Sequence, residues 1–192
     1  METLLSILVG VGLSAACGFR VFIPPLIISI AALSGHLTLA PGFAWMGTQP
    51  ALIAFAVATV LEIAAYYVPW LDNLLDTIAT PTAIVAGTVV TAAMITGMSP
   101  FLKWTLAVIA GGGAAGLVQG STVFARGLST AGTGGLANPI VATVELAGSI
   151  LTAILSIVVP VLALVLLVVF AVVIVRKLVM RKPKKAVPAF ST

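Results

Sequence analysis

Long apolar stretches follow one another along almost the whole chain. Each is close to the length of about 20 residues that a helix needs to cross a bilayer. They lack the alternation of polar and apolar residues that marks the strands of a membrane barrel, so they predict helices. Only 7% of the 192 residues are charged, whereas soluble domains carry about a quarter. The sequence therefore excludes an ordinary soluble domain and predicts an all-α, polytopic membrane protein whose first partner is the lipid bilayer.

Proline after a capping residue marks the helix starts, because Ser, Thr and Asn favour the cap and proline favours the first helical position. The marks are Thr80-Pro81, Ser99-Pro100 and Asn138-Pro139, with a fourth start at Pro50. They predict six spans, near 3–23, 50–69, 81–98, 100–124, 139–158 and 160–179. Pro24-Pro25 must break or kink the first helix, and the apolar run after it is too short to cross. Residues 24–47 are therefore predicted to be re-entrant or interfacial.

Basic residues concentrate at the C-terminal end of the chain. Six of the nine lie between residues 176 and 185. The positive-inside rule then predicts a single transmembrane domain at 1–179 and a basic cytoplasmic tail at 180–192. With six spans the N-terminus would be cytoplasmic too, in a plasma membrane. Nucleic-acid binding is not predicted, because the basic run abuts an apolar helix and lacks interleaved aromatic residues.

The two halves of the domain, about 1–98 and 99–179, carry signs of an internal repeat. A shift of 102 residues aligns eight identical residues without a gap, from Thr3 on Thr105 to Leu26 on Leu128. Each half also carries a small-residue ladder with a spacing of four: Gly10, Ser14, Gly18 and Gly112, Gly116, Gly120. Such ladders let helices pack closely, within one chain or in a homo-oligomer. Three spans per half predict inverted repeats, which recur in secondary transporters with a site near the midplane.

Four charged residues in or beside the apolar stretches are the first candidates for function: Arg20, Glu62, Arg126 and Glu145. A charge in lipid must be paired, hydrated or neutralised, so each marks a structural ion pair or a ligand site. Arginine binds carboxylate and phosphate groups through two parallel hydrogen bonds, which favours an anion or a lipid phosphate as ligand. A buried glutamate can balance an arginine or carry a proton.

The segment from residue 129 to 139 is small, polar and rich in glycine, and it ends at a helix start. Backbone amides at a helix N-terminus bind anions, and free carbonyls coordinate cations. The predicted binding site therefore includes Thr133, Gly134, Gly135 and Asn138. A flexible loop without a ligand is the alternative.

Asp72 and Asp76 lie one helical turn apart, opposite a face of leucines. This pattern predicts a short amphipathic helix at the cytoplasmic surface. A solvated face explains the two carboxylates as well as a cation site does, because further oxygen ligands are lacking. With one histidine and no evident nucleophile–base pair in the sequence, no enzyme, metal site or cofactor is predicted.

Three motifs place the chain beside a known family. They are S-A-A-C-G-F-R-V-F at 14–22, E-I-A-A at 62–65 leading through P-W-L-D to Asp76, and T-G-G-L-A-N-P at 133–139 followed by Glu145. With the basic tail, they resemble the small bacterial membrane proteins of the domain of unknown function 4126 family. That family typically has Asp-Lys where this chain has Tyr66-Tyr67, and an acid in place of Leu146. The resemblance implies a multi-span membrane protein and supplies neither a substrate nor a reaction.

The leading hypothesis is a small transporter or channel for an anionic solute or a lipid-phosphate headgroup, with proton coupling through a glutamate as a further element. Its site would join the four buried charges to the segment at 133–138. The alternative is a non-transporting structural or assembly protein, in which the ladders form helix interfaces and the charges are ion pairs. An enzyme acting on lipid would need a base beside a nucleophile in a polar cleft.

Overall fold

The structure, a computed structural model, describes residues 2–179, apart from the side chains at 69–70, 72–74, 76 and 177–179. All regular elements in that range are helical. They are α1 (Glu2–Cys17), α2 (Ile23–Leu33), a 3-10 helix (Pro41–Gly47), α3 (Gln49–Tyr66), α4 (Pro69–Met94), α5 (Pro100–Leu106), a π-helical turn (Ala107–Gly112), α6 (Gly113–Thr133), α7 (Asn138–Val158) and α8 (Pro160–Val179). The predicted tail at 180–192 lies outside the described residues.

Four stretches in the described part of the chain are long and apolar enough to cross a bilayer: Gln49–Tyr66, Thr77–Met94, Pro100–Thr133 and Asn138–Val158. Helices α1 and α2 and the Pro160–Arg176 part of α8 are apolar but shorter. The protein is therefore an all-helical, multi-pass membrane protein. Six spans in two inverted repeats remain a prediction, because α1 and the Pro160–Arg176 part of α8 are shorter than the other four stretches.

Capping residues explain several helix starts. The Thr48 hydroxyl accepts a hydrogen bond from the Ala51 amide at 3.4 Å, and the Ser99 hydroxyl accepts one from Leu102 at 3.5 Å. Each occupies one of the amides that a helix start leaves without an internal partner. Helix α7 ends at Val158 and α8 begins at Pro160, so the predicted boundary at that proline is confirmed.

The predicted helix start at Pro81 is wrong, because Pro81 lies inside α4, which begins at Pro69. Proline is tolerated within membrane helices, where neighbouring groups satisfy the backbone carbonyl that it frees. The separate surface helix predicted around Asp72 and Asp76 forms the first turns of this same helix. Both side chains lie outside the described residues, so the acidic pair stays a prediction.

The first predicted span ends early. Helix α1 stops at Cys17, residues 18–22 form a non-helical link, and Pro24-Pro25 lie in the first turn of α2. This position suits proline, because the first amides of a helix have no internal partner. The 11 residues of α2 are too few to cross a bilayer, in agreement with a non-spanning segment at 24–47.

Helix α1 lies at the centre of the fold and packs against α4, α6, α7 and α8. A Cβ on Gly18, just beyond α1, would lie 2.5 Å from the Ala115 carbonyl oxygen and 2.6 Å from the Val118 Cβ. The Ser14 hydroxyl donates to the Gly111 carbonyl oxygen in the π-helical turn. The first ladder therefore packs inside the chain. In the second ladder, a Cβ on Gly120 would have nothing within 4 Å.

Candidate functional site

Three charged side chains that are distant in sequence meet inside the protein. Arg20 lies in the link between α1 and α2, Arg126 in the second half of α6, and Glu145 two turns into α7. Their exposed fractions are 1%, 3% and 4%. The Ser149 hydroxyl, one turn after Glu145, donates to the Ala16 carbonyl at 3.0 Å and fixes the end of α1 against α7. This contact places the link that carries Arg20 beside Glu145.

Arg126 and Glu145 form a bidentate ion pair. The Arg126 Nε donates to Glu145 Oε1 at 2.9 Å, and its Nη2 donates to Glu145 Oε2. Two parallel bonds of this type fix orientation as well as charge. The guanidinium of α6 and the carboxylate of α7 are thereby held in register.

Arg20, in the first half of the chain, contacts the same carboxylate. Its Nη2 donates to the Ala142 carbonyl at 2.8 Å and lies 3.6 Å from Glu145 Oε2. Its Nε and Nη1 are buried and have no hydrogen-bond partner among the described residues. One carboxylate therefore serves two guanidinium groups, and part of the Arg20 donor fork is unused.

Tyr66, the last residue of α3, brings a fourth segment into this cluster. The guanidinium carbons of Arg20 and Arg126 lie 3.8 and 4.2 Å from the centroid of its ring. A desolvated cation over an aromatic ring is stabilised by the ring quadrupole. Sequence reasoning did not include Tyr66 among the site residues. The available signal was its position four residues after Glu62, which puts both side chains on one face of α3.

Glu62 lies next to the cluster, and its carboxylate accepts hydrogen bonds from two backbone amides. Its Oε1 accepts from the Val21 amide at 2.8 Å and its Oε2 from the Phe22 amide at 3.1 Å. These amides immediately precede α2, so the carboxylate completes the start of that helix and complements its dipole. The structure thus brings Glu62 to the predicted site, with both oxygens already accepting hydrogen bonds.

The glycine-rich segment is shorter than predicted. Residues 129–133 belong to α6, and only 134–137 form a turn before α7. Gly134 and Gly135 take positive φ values of 63° and 89°, which favour glycine. The Thr133 hydroxyl accepts from the Ala137 amide at 3.1 Å, and the Asn138 Nδ2 donates to Thr130 Oγ1 at 3.2 Å.

These bonds close the turn on itself. Asn138 begins α7 seven residues before Glu145, about 10 Å along the helix axis. A ligand contact at Thr133, Gly134, Gly135 or Asn138 stays a prediction, and the long loop predicted at 129–139 is wrong in extent.

A groove of about 400 Å³ borders Glu145 between α6, α7 and α8. Apart from Glu145, Ser121 and Thr122, its lining is apolar and includes Phe19, Val144 and Phe170. Phe19 and Phe170 form a tilted ring pair with centroids 6.5 Å apart. A smaller cavity of about 190 Å³ is lined by the same two rings together with Ala15 and Leu167. We call the larger space the Glu145 groove.

Comparison with known proteins gave one positive result. Searches of curated proteins and of solved structures found no match. The model of the family described as Domain of unknown function (DUF4126) matches residues 7–180, which include Arg20, Glu62, Tyr66, Arg126 and Glu145. Since the match covers well over half of the chain, the protein belongs to the DUF4126 family.

Proposed function

We propose that the protein is a small transporter or channel for an anion. The observation that carries this proposal is the pair of buried guanidinium groups that contact one carboxylate, together with two nitrogens of Arg20 that have no hydrogen-bond partner among the described residues. The neighbouring Glu62 is engaged by backbone amides. A buried guanidinium with unused donors is costly in a membrane. It therefore marks a candidate site for a ligand.

The chemistry of the cluster favours an oxyanion. The guanidinium fork of Arg20 has two unused nitrogens, and such forks match the oxygens of phosphate, sulfate or carboxylate. A free anion and the phosphate of a lipid headgroup share this chemistry. The Glu145 groove combines an apolar lining with three polar residues, Ser121, Thr122 and Glu145, and is compatible with either.

The arrangement of the cluster agrees with a two-half transporter. The first half supplies Arg20 and Glu62, and the second supplies Arg126 and Glu145. A site where two inverted repeats meet is the usual arrangement in secondary transporters. The proposal therefore includes inverted repeats at about 1–98 and 99–179, a plasma-membrane location, cytoplasmic termini and no enzymatic activity.

The test is anion flux into liposomes that contain the purified full chain. Chloride, nitrate, sulfate and inorganic phosphate are offered outside, and uptake is compared with protein-free vesicles. A second arm measures the movement of fluorescent phosphatidic acid between leaflets, which separates a lipid phosphate from a free anion. Arg20→Ala should abolish flux. Arg176→Ala, which removes an exposed arginine of α8, is the matched control. Equal flux in wild type and Arg20→Ala contradicts the proposal.

A structural or assembly role is the second candidate. It is favoured by the bidentate Arg126–Glu145 pair and by the close intrachain packing at Gly18. On this reading the charges only hold α6, α7 and the link together. Absence of both anion flux and lipid movement, together with loss of folded protein in Arg126→Ala, would favour it.

A further inference from the structure

We infer that Glu145 is an internal anion that couples solute binding to a proton. In the absence of solute its carboxylate occupies the arginine site. When it takes up a proton it leaves, and a solute anion binds to Arg20 and Arg126 in its place. This inference rests on the proposed function and adds to it the residue that carries the proton.

Glu145 already occupies the position that a solute oxyanion needs. Its two oxygens face the Nε and Nη2 of Arg126, and one of them faces Arg20 at 3.6 Å. Carboxylates and phosphates present paired oxygens to a guanidinium in the same way. A solute that uses both arginines must therefore displace this side chain.

Conservation of charge favours the exchange. If a monovalent anion enters while Glu145 takes up a proton, the net charge of the cluster does not change. Either event alone would alter the buried charge by one unit, which is strongly unfavourable away from water. The proton goes to the carboxylate oxygen, and no covalent bond other than that O–H forms or breaks.

The Glu145 groove gives the protonated side chain a place to move. Thr122 lines the groove beside Glu145, and its hydroxyl donates to the Gln119 carbonyl at 2.9 Å. The Thr122 oxygen keeps acceptor capacity for the O–H of a protonated carboxyl group. Rotation toward Thr122 would expose the Arg126 Nε and both arginine Nη2 groups to an entering anion.

Among the described side chains, the charged and titratable groups around Glu145 come from three neighbouring segments. Arg20 approaches from the α1–α2 link, Arg126 from α6, and Tyr66 and Glu62 from α3. From α8, the described residues of the groove are Phe170 and Ile174, which do not titrate. Glu62 cannot replace Glu145 in this exchange without giving up the two amides at the start of α2.

The experiment measures anion and proton movement together in liposomes that contain the full chain. Chloride or nitrate is imposed as an inward gradient, the lumen contains a pH-sensitive dye, and potassium with valinomycin holds the membrane potential at zero. These anions do not titrate near neutral pH, so lumen acidification reports the proton that enters. Wild type should take up one proton with each chloride or nitrate ion. An inward proton gradient of one pH unit should accumulate nitrate about tenfold.

Glu145→Gln is the decisive variant, because glutamine has a similar shape and cannot carry the proton. It should conduct the anion with no accompanying acidification and no accumulation. Glu2→Gln removes an exposed acid at the start of α1 and should keep the wild-type ratio of protons to anions.

Two results would overturn the inference alone: wild-type flux of these anions without proton movement, or an unchanged proton-to-anion ratio in Glu145→Gln. If Glu145→Gln does not fold, the wild-type ratio and the nitrate accumulation decide by themselves. Absence of wild-type flux for every anion, phosphate included, together with absence of lipid movement, would overturn the proposed function and the inference with it.

Discussion

The two glutamates of the cluster, Glu62 in the first half and Glu145 in the second, look equivalent in the sequence and differ in their partners. Glu62 accepts hydrogen bonds from two backbone amides at the start of α2. Glu145 has side-chain partners, the guanidinium groups of Arg126 and Arg20. Backbone amides are fixed where the helix begins, whereas side chains can exchange one anion for another. The first acid therefore holds the start of α2, and in our proposal the second is the one that a solute anion displaces.

The largest expected loss of stability follows the removal of Arg126, the main partner of Glu145. Arg126→Ala leaves Glu145 buried with only the longer contact to Arg20, and the loss of one partner of a buried pair costs about 3 kcal/mol or more. The free energy of unfolding, measured by SDS titration in mixed micelles, should fall by that amount. Arg176→Ala should change it little, and an equal loss in both variants would contradict the assignment.

A smaller loss is expected when Glu62 is changed to Gln. The side chain keeps one acceptor oxygen and turns an amide donor toward a backbone N–H, which leaves a buried donor without a partner at a cost of about 1–3 kcal/mol. Hydrogen exchange should rise at the amides of Val21 and Phe22 and stay near wild type in α7. If hydrogen exchange increased mainly in α7, Glu62 would stabilise the helix that carries Glu145, which contradicts the distinction between the two acids.

Close packing holds the link that carries Arg20, and Gly18→Ala tests it. The new methyl group would meet the Ala115 carbonyl oxygen at 2.5 Å, so the link or α6 must shift at a cost of about 1–3 kcal/mol. Gly120→Ala, which adds a methyl group into open space, is the control. Circular dichroism during thermal unfolding should show a lower midpoint for Gly18→Ala alone. Equal midpoints would mean that this contact relaxes without cost.

The smallest effect concerns Tyr66, whose ring contacts both arginines. Tyr66→Leu removes the ring and should cost about 0.5–2 kcal/mol of unfolding free energy, whereas Tyr66→Phe keeps the ring and most of the interaction. The same SDS titration measures both variants. A loss in Tyr66→Phe as large as in Tyr66→Leu would assign the effect to the hydroxyl group in place of the ring.

The sequence predicted the membrane class, several helix starts and the four charged residues of the cluster, because these depend on local composition and on caps. The starts after Thr48 and Ser99 and the boundary at Pro160 are confirmed. Pro81 was misassigned, since the rule that proline begins helices is weaker in a membrane, where interior prolines are tolerated. The extent of the 129–139 loop was also wrong, because residues 129–133 continue α6 despite their glycine and hydroxyl content.

The pairing of the charges depends on tertiary structure and could not be read from the chain. Arg20 and Glu145 are 125 positions apart, and only the packing of α1 on α7 brings them together. The same sequence pattern is compatible with an Arg20–Glu62 pair, which is the simpler expectation within one half. The signal for Tyr66 was its position one helical turn after Glu62, and this signal is weak because aromatic residues are common in apolar helices.

The π-helical turn at Ala107–Gly112 has a consequence for how this protein tolerates genetic change. A π turn holds one residue more than an α turn would, and each residue of a helix adds about 100° of rotation and 1.5 Å of rise. Deletion of a single codon in this turn would therefore convert it to an α turn and leave α6 in about the same register relative to α5. Deletion of a single codon between this turn and Arg126 would instead rotate Arg126 by about 100°, away from Glu145. The π turn can thus absorb the loss of one residue, which the first half of α6 cannot.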